Sequence, residues 1–172
     1  MNLTLKKFAP EDFPDYFRLV GDAQVMAMIT ERALPEDEAR ADFEKLLANN
    51  ALHPDFGQFK ALDAQGRFLG LGKLALEAAD SRHAELGYML LPEHWGKGLA
   101  GRIAAQLIAR ASVHTLDGLF AIIDPANIAS RKVLTNNGFS HQTFKDFDGL
   151  PGEILALSFP SAAAGGRIHE TV

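Results

Sequence analysis

No cysteine occurs among the 172 residues, and that absence excludes disulfides, thiolate metal sites and a cysteine nucleophile together. The six histidines show no metal-ligand spacing, so no metal is expected. Positive charge is not in excess: 17 Lys and Arg against 22 Asp and Glu leave a net charge of -5, which argues against a nucleic-acid surface. No apolar run approaches the roughly 18 residues of a membrane span, and residues 1–10 lack a signal-peptide profile. The expectation is a soluble, cytoplasmic chain with neither membrane nor nucleic acid as partner. A P-loop is missing too, because no Gly-Lys-Ser/Thr stands at the required spacing, and Gly96-Lys-Gly98 lacks the third glycine of a dinucleotide fingerprint.

What is present suits one domain. Hydrophobic residues make up 47% of the chain, enough for a substantial core at this length. Residues 1–160 read as a single unit, and 161–172, with Ala162-Ala-Ala-Gly-Gly166, as a flexible tail. Residues 2–8 alternate as a first strand. Pro10 opens a helix with Phe13, Phe17 and Val20 on one side, ended by Gly21. Residues 22–34 are apolar without a clean period and read either as a short packed helix or as a lid over a cleft. Pro35 opens a better helix striped by Ala39, Phe43, Leu46 and Leu47.

Residues 56–62 and 68–76 read as a hairpin around Asp63-Ala-Gln-Gly66, with Gly70 and Gly72 marking a bulge or the close approach of another backbone. A third strand, 83–91, stops at Pro92. Residues 119–123 form an apolar run, as in a strand covered on both faces. Asp124-Pro-Ala-Asn127 breaks it and caps a helix that ends at Asn137-Gly138. Residues 139–147 and 153–159 complete a hairpin around 148–152. The order is β, two or three helices, β-β-β, α, β, α, β-β, an α/β chain built on a mixed sheet.

The organising stretch lies between the third strand and the following helix. Gly96, Gly98 and Gly101 bracket a turn, after which Leu99, Ile103 and Leu107 fall on one helical face and Arg102, Gln106 and Arg110 on the other. The first N–H groups of a helix lack intrahelical partners and carry partial positive charge. Glycines let a phosphate approach such a backbone closely. The turn is therefore an anion cradle at a strand end, or only a chain reversal.

The second constellation is Asn127-Ile-Ala-Ser130, Val133-Leu134 and Gly138-Phe139. Taken with Gly87-Tyr88 and Trp95-Gly-Lys-Gly-Leu-Ala100 some 30 residues earlier, it resembles the GNAT superfamily of acyl-CoA-dependent N-acetyltransferases, and within it the RimJ/RimL-like branch. The resemblance covers residues 2–159. It implies the GNAT acyl-CoA N-acyltransferase fold, with about seven strands, helices on both faces and a splayed central strand pair. It implies acetyl-CoA as co-substrate and a primary amine as acceptor, with direct attack in a ternary complex. Trp95, Gly96, Lys97, Gly98, Leu99, Ala100 and Gly101 would form the pyrophosphate loop. Met89 and Leu90 would lend backbone groups to the pantetheine and the acetyl carbonyl, and Asn127 and Ser130 would face the cofactor.

For catalysis the resemblance points to Ser130 beside the cofactor sulfur, and strand periodicity points to Glu85 for the amine proton, on the face shared with Gly87 and Met89. Each has a plainer role beside it. Asn127 and Ser130 are also helix-capping types, and Glu85 can instead pair with Arg82 or Lys73. His83 and His94 are proton relays or surface residues, and Lys97, Arg102 and Lys132 are phosphate contacts or solvated charges. Many GNAT members carry a tyrosine general acid where this chain has Leu134, and neither Tyr16 nor Tyr88 stands in that motif. A catalytically silent CoA-binding domain, or an enzyme using another acyl-CoA such as succinyl-CoA, are the alternatives. The acceptor is not legible, and a homodimer is an open possibility.

Overall fold

The computed structural model describes residues 2–160. Seven strands form one sheet in the order β1-β2-β3-β4-β5-β7-β6. They are β1 (Thr4–Lys7), β2 (Gly57–Leu62), β3 (Phe68–Ala75), β4 (His83–Leu90), β5 (Gly118–Ile123), β6 (Ser140–Phe147) and β7 (Leu150–Ser158). All neighbours pair antiparallel except β4 and β5, which are parallel. The helices are α1 (Phe13–Val20), α2 (Ala23–Met26), α3 (Glu36–Asn50), α4 (Leu99–Ser112) and α5 (Ile128–Asn136). This is the mixed-sheet architecture expected from the sequence.

Strand alternation sends residues to two cores. Leu74, Leu86 and Leu119 meet Ile103 and Leu107 of α4 and Leu134 of α5 in one cluster. On the other face, Leu71 and Phe68 meet Leu19 of α1 and Phe43 of α3 in a second cluster. For this reason α1 and α3 turn Leu19, Ala39 and Leu46 inward on that face, and α2 adds Val25 and Met26.

Several details refine the sequence reading. Pro10–Asp12 forms a 3-10 turn ahead of α1. Residues 22–34 contain one helical turn, α2, whose Asp22 side chain accepts from the Gln24 and Val25 N–H groups. Val25 and Met26 are buried there, while Met28 and Ile29 stay exposed. The last hairpin is tighter than expected: Phe147 pairs with Leu150 across the two residues Asp148 and Gly149, both at positive φ, as a primed turn demands. Pro151 lies inside β7 because its missing N–H falls where β7 runs beyond its last partner on β5, Glu153 opposite Ile123. The expectation that β5 is covered on both faces fails. Leu119 and Ala121 are buried, but Ile122 is 38% exposed, because the Phe120 and Ile122 side borders a cleft rather than a helix. The tail expected at 161–172 lies outside the described residues.

Gly70 stands at both a bulge and a close approach: Ala61 of β2 faces Gly70 and Leu62 faces Phe68, which leaves Leu69 of β3 as the extra residue. A Cβ on Gly70 would run into the Met89 carbonyl oxygen, and one on Gly72 would lie 2.9 Å from Ile103 Cγ2. Gly70→Ala is therefore expected to destabilise the fold by about 1–3 kcal/mol, as overpacking does. Urea denaturation checks this, and a variant as stable as its parent would contradict the β3–β4 packing described.

Candidate active site

The parallel pair at the centre of the sheet is short. β4 and β5 register only at His83 with Gly118, Ala84 with Leu119 and Glu85 with Phe120. Beyond that the strands part, leaving the second half of β4 without a neighbour on that edge. Leu91 N–H donates to the Leu69 carbonyl on β3 at 3.0 Å. Backbone groups alternate in direction along a strand, so those of Tyr88 and Leu90 face the gap and those of Met89 face β3. Among them, the Leu90 carbonyl accepts from the Trp95 indole N–H at 2.9 Å.

The glycine turn opens at the same end. After β4, a 3-10 turn at Pro92–His94 leads to Trp95, and Gly96 and Gly98 both adopt left-handed φ, +73° and +74°. Nothing lies within 4 Å of where a Cβ would stand on Gly96, Gly98 or Gly101. Gly98 is the N-cap of the 14-residue α4 and offers no side-chain cap. The N–H groups of Leu99, Ala100 and Gly101 thus begin a helix with open space in front of them, and Leu99 anchors that end in the core at 3% exposure.

On the α4–α5 side of the sheet, α5 starts just past the end of β5. Asn127 is its N-cap and accepts from the Ser130 N–H at 3.1 Å. The Ser130 hydroxyl turns to β4, where its Oγ lies 3.1 Å from the Tyr88 hydroxyl. Tyr88 also donates to the Ser130 carbonyl at 3.3 Å. Burial pushes the Tyr88 phenol above its ordinary pKa, with the Ser130 hydrogen bond pulling the other way. The phenol therefore stays protonated at neutral pH.

On the opposite face a cleft of about 800 Å³ opens between β4, β5 and α3. Its wall includes Glu85, Lys73, Glu77, Phe120, Ile122 and Phe147. Glu85 forms an ion pair with Lys73, and both side chains remain partly accessible. Arg82, the other partner considered from sequence, pairs with Asp117 instead, at 2.7 Å. Tyr16 closes the floor of the cleft, its phenol pushed up to about 12 by burial and by Asp42.

Comparison with known proteins decides the family. The model of the acetyltransferase (GNAT) domain matches residues 2–140. This chain belongs to the GNAT acetyltransferase family. Solved structures agree on the fold. An acetyltransferase from Agrobacterium tumefaciens superposes with a TM-score of 0.77 at 21% identity, covering 91% of each chain. A spermidine N-acetyltransferase from Vibrio cholerae, solved with CoA and spermine, gives 0.71 at 23% identity, covering 91% of this chain and 95% of that one. RimL, a ribosomal L7/L12 alpha-N-protein acetyltransferase solved with coenzyme A, gives 0.74 at 15% identity over 92% and 94%. The uncharacterised N-acetyltransferase YoaA of Bacillus subtilis is 29% identical over 75 residues, a match spanning 42% of each chain.

In this GNAT domain the residues singled out from sequence fall into three places. Trp95 to Gly101 and Leu90 surround the mouth of the gap, Asn127 and Ser130 stand on one side of the sheet, and Glu85 stands on the other. Lys97 also borders, with His94, Arg18 and Arg67, a second hollow of about 630 Å³. His83 and Lys132 are exposed. Tyr88, set aside in the sequence because it stands outside the helical motif, lies on the face opposite Glu85, as period-two alternation with Leu86 and Leu90 requires.

Buried Glu153, 2% exposed, holds the α5 side in place. Arg131 pairs with it and donates to the Pro125 carbonyl at 3.0 Å, and His141 Nδ1 lies 3.0 Å from its Oε1. The β5–α5 turn that carries Asn127 is thereby tied to β7. The Arg131 guanidinium, joined by His141, holds the Glu153 carboxyl below its ordinary range despite burial. A depressed carboxylate contributes stability above its unfolded pKa and loses it as pH falls through the folded one. Glu153→Gln should therefore melt lower than wild type at pH 7, with the difference shrinking below about pH 4.5. Thermal melts across pH check this, and a difference that is flat with pH would contradict it.

Proposed function

We propose that residues 1–160 form a single transferase domain that moves the acetyl group of acetyl-CoA to a primary amine, on the RimJ/RimL-like pattern and in the cytoplasm. The observation that carries the reading is the open, left-handed Gly96-Lys97-Gly98 turn at the N-terminus of α4, set at the mouth of the β4–β5 gap. Backbone donors with empty space before them suit a pyrophosphate. A strand edge with unpaired backbone groups suits an extended amide-bearing arm laid along it as a further strand. The site fits acetyl-CoA on both counts, with Trp95, Gly96, Lys97, Gly98, Leu99, Ala100 and Gly101 at the phosphates and Leu90 at the pantetheine. Met89 contributes its side chain to the second core rather than its backbone to the gap.

The amine enters from the cleft on the Glu85 face. Its nitrogen attacks the thioester carbonyl, forming the C–N bond, and the C–S bond breaks with its electrons on sulfur. Glu85 accepts the amine's surplus proton, directly or through water, once the amine displaces Lys73 from it. Ser130 faces the departing sulfur from the other side. Asp42, Glu77 and Glu85 outnumber Lys45 and Lys73 on the cleft wall, which favours a cationic acceptor, and Phe120, Ile122 and Phe147 give it an apolar bed. Spermidine and peptide N-termini, the acceptors of two structural relatives, are accordingly the first amines to try. The Lys73–Glu85 pair favours a second reading, a silent CoA-binding domain whose base is permanently neutralised. Glu85→Gln separates the two. Acetyl transfer to spermidine or to an N-terminal peptide should fall by about 10²-fold in kcat, with the acetyl-CoA KM within about twofold and the loss narrowing as rising pH deprotonates the amine unaided. Thiol release with acetyl-CoA measures it; unchanged turnover would remove Glu85 from the chemistry, and no turnover in wild type would favour the silent domain.

A further inference from the structure

Tyr88 and Ser130 both stand in the sequence pattern that resembles the family, and the structure brings their hydroxyls together. Where a helical tyrosine would stand, Leu134 is buried at 1% exposure in the core and has no proton to offer. Tyr88 instead projects from β4 at the point where β5 has already left, and reaches α5 across the gap. Its ring packs against the same core as Leu86 and Leu90, so only its hydroxyl is directed at Ser130. We infer that Tyr88 is a positioning residue which holds and polarises the Ser130 hydroxyl as a hydrogen-bond donor to the departing thiolate. This rests on the acyl-transfer reading above.

The chemistry is stabilisation and not proton transfer. A cysteine thiol ordinarily titrates near 8.5 and a phenol near 10, and burial moves the Tyr88 phenol further up. Handing the phenol proton to the thiolate would be uphill, whereas donating hydrogen bonds to it is not. Both hydroxyls are free to rotate about their C–O bonds. In the resting site Ser130 donates to Tyr88 and Tyr88 donates to the Ser130 carbonyl. When charge develops on sulfur, the Ser130 O–H turns to it, and the Tyr88 O–H turns from the carbonyl to the Ser130 oxygen. A chain of two neutral donors then polarises towards the anion. The sulfur leaves as thiolate and is protonated by solvent. Arg131, the neighbour of Ser130 on α5, is committed to Glu153.

The test uses the thiol of bound CoA as the probe, which needs no acceptor amine. Thiolate absorbance is titrated in the CoA complex of wild type, Tyr88→Phe, Ser130→Ala and Ser130→Thr, against each protein alone. Tyr88→Phe keeps the ring in the core and removes only the hydroxyl. The bound thiol pKa should rise by about one pH unit in Tyr88→Phe and in Ser130→Ala, with no further rise when the two are combined, and return towards wild type in Ser130→Thr. CoA affinity should change less than about threefold, and kcat with any accepted amine should fall roughly tenfold. Bound CoA with the same thiol pKa in wild type and Tyr88→Phe overturns this inference alone. Additive shifts in the double variant overturn it as well, since the two hydroxyls would then act separately. Failure of wild type to bind CoA at all overturns the acyl-transfer reading and this one with it.

Discussion

Two strands that begin side by side and then part set the terms for the rest of this molecule. β4 and β5 share three registered pairs and no more, so the outer half of β4 has one edge without a strand on it. Unpaired backbone groups inside a protein are costly unless they find partners. Among the described residues one carbonyl, that of Leu90, is taken by Trp95, and the parted edge offers its neighbours to a bound molecule. The gap is a hole in a hydrogen-bonded ladder, shaped to be filled by something that can hydrogen-bond as a strand does.

Everything that flanks the gap is there because a continuous element brings it. β4 carries Glu85 to one face and Tyr88 to the other, as alternate residues of a strand must. Chemistry on a thioester needs a proton acceptor for the incoming amine and a donor for the outgoing sulfur, and a strand that passes between them supplies both without a flexible loop. The glycine turn ends β4 and starts α4, whose Leu99, Ile103 and Leu107 are fully seated in the core. The cradle is thus fixed to the sheet at one end and to the core at the other. On the far side, the buried Glu153 ties the start of α5 to β7 through Arg131, which keeps Ser130 at hydrogen-bond distance from Tyr88.

Much of this was legible in the sequence because short-range chemistry determined it. Pro92 follows the strand that ends at Leu90, and Gly138 sits at φ 91° as a helix terminator should. The seven strands and their order follow from such signals together with the family pattern. What was not legible depended on contacts between distant residues. The exposed side of β5 is misread because Ile122 is apolar, yet its face borders a cleft walled also by α3, β3 and Phe147. Tyr88 and Ser130 are 42 residues apart, and no local rule pairs them. The choice of Lys73 over Arg82 as the partner of Glu85 was set by the β3–β4 register, Lys73 opposite Gly87, and by Asp117 taking Arg82.

The claim at the centre is that the turn at Gly96 to Gly101 holds the pyrophosphate of CoA, and calorimetric titration tests it most directly. CoA and acetyl-CoA are titrated into wild type and into Gly98→Glu, with NADH as a control and a melting curve to show that the variant remains folded. The account predicts micromolar binding of both CoA species to wild type, none of NADH, and loss of binding in the variant, where bulk and negative charge occupy the cradle. Equal binding of CoA to wild type and to folded Gly98→Glu would contradict the account, as would no binding to either.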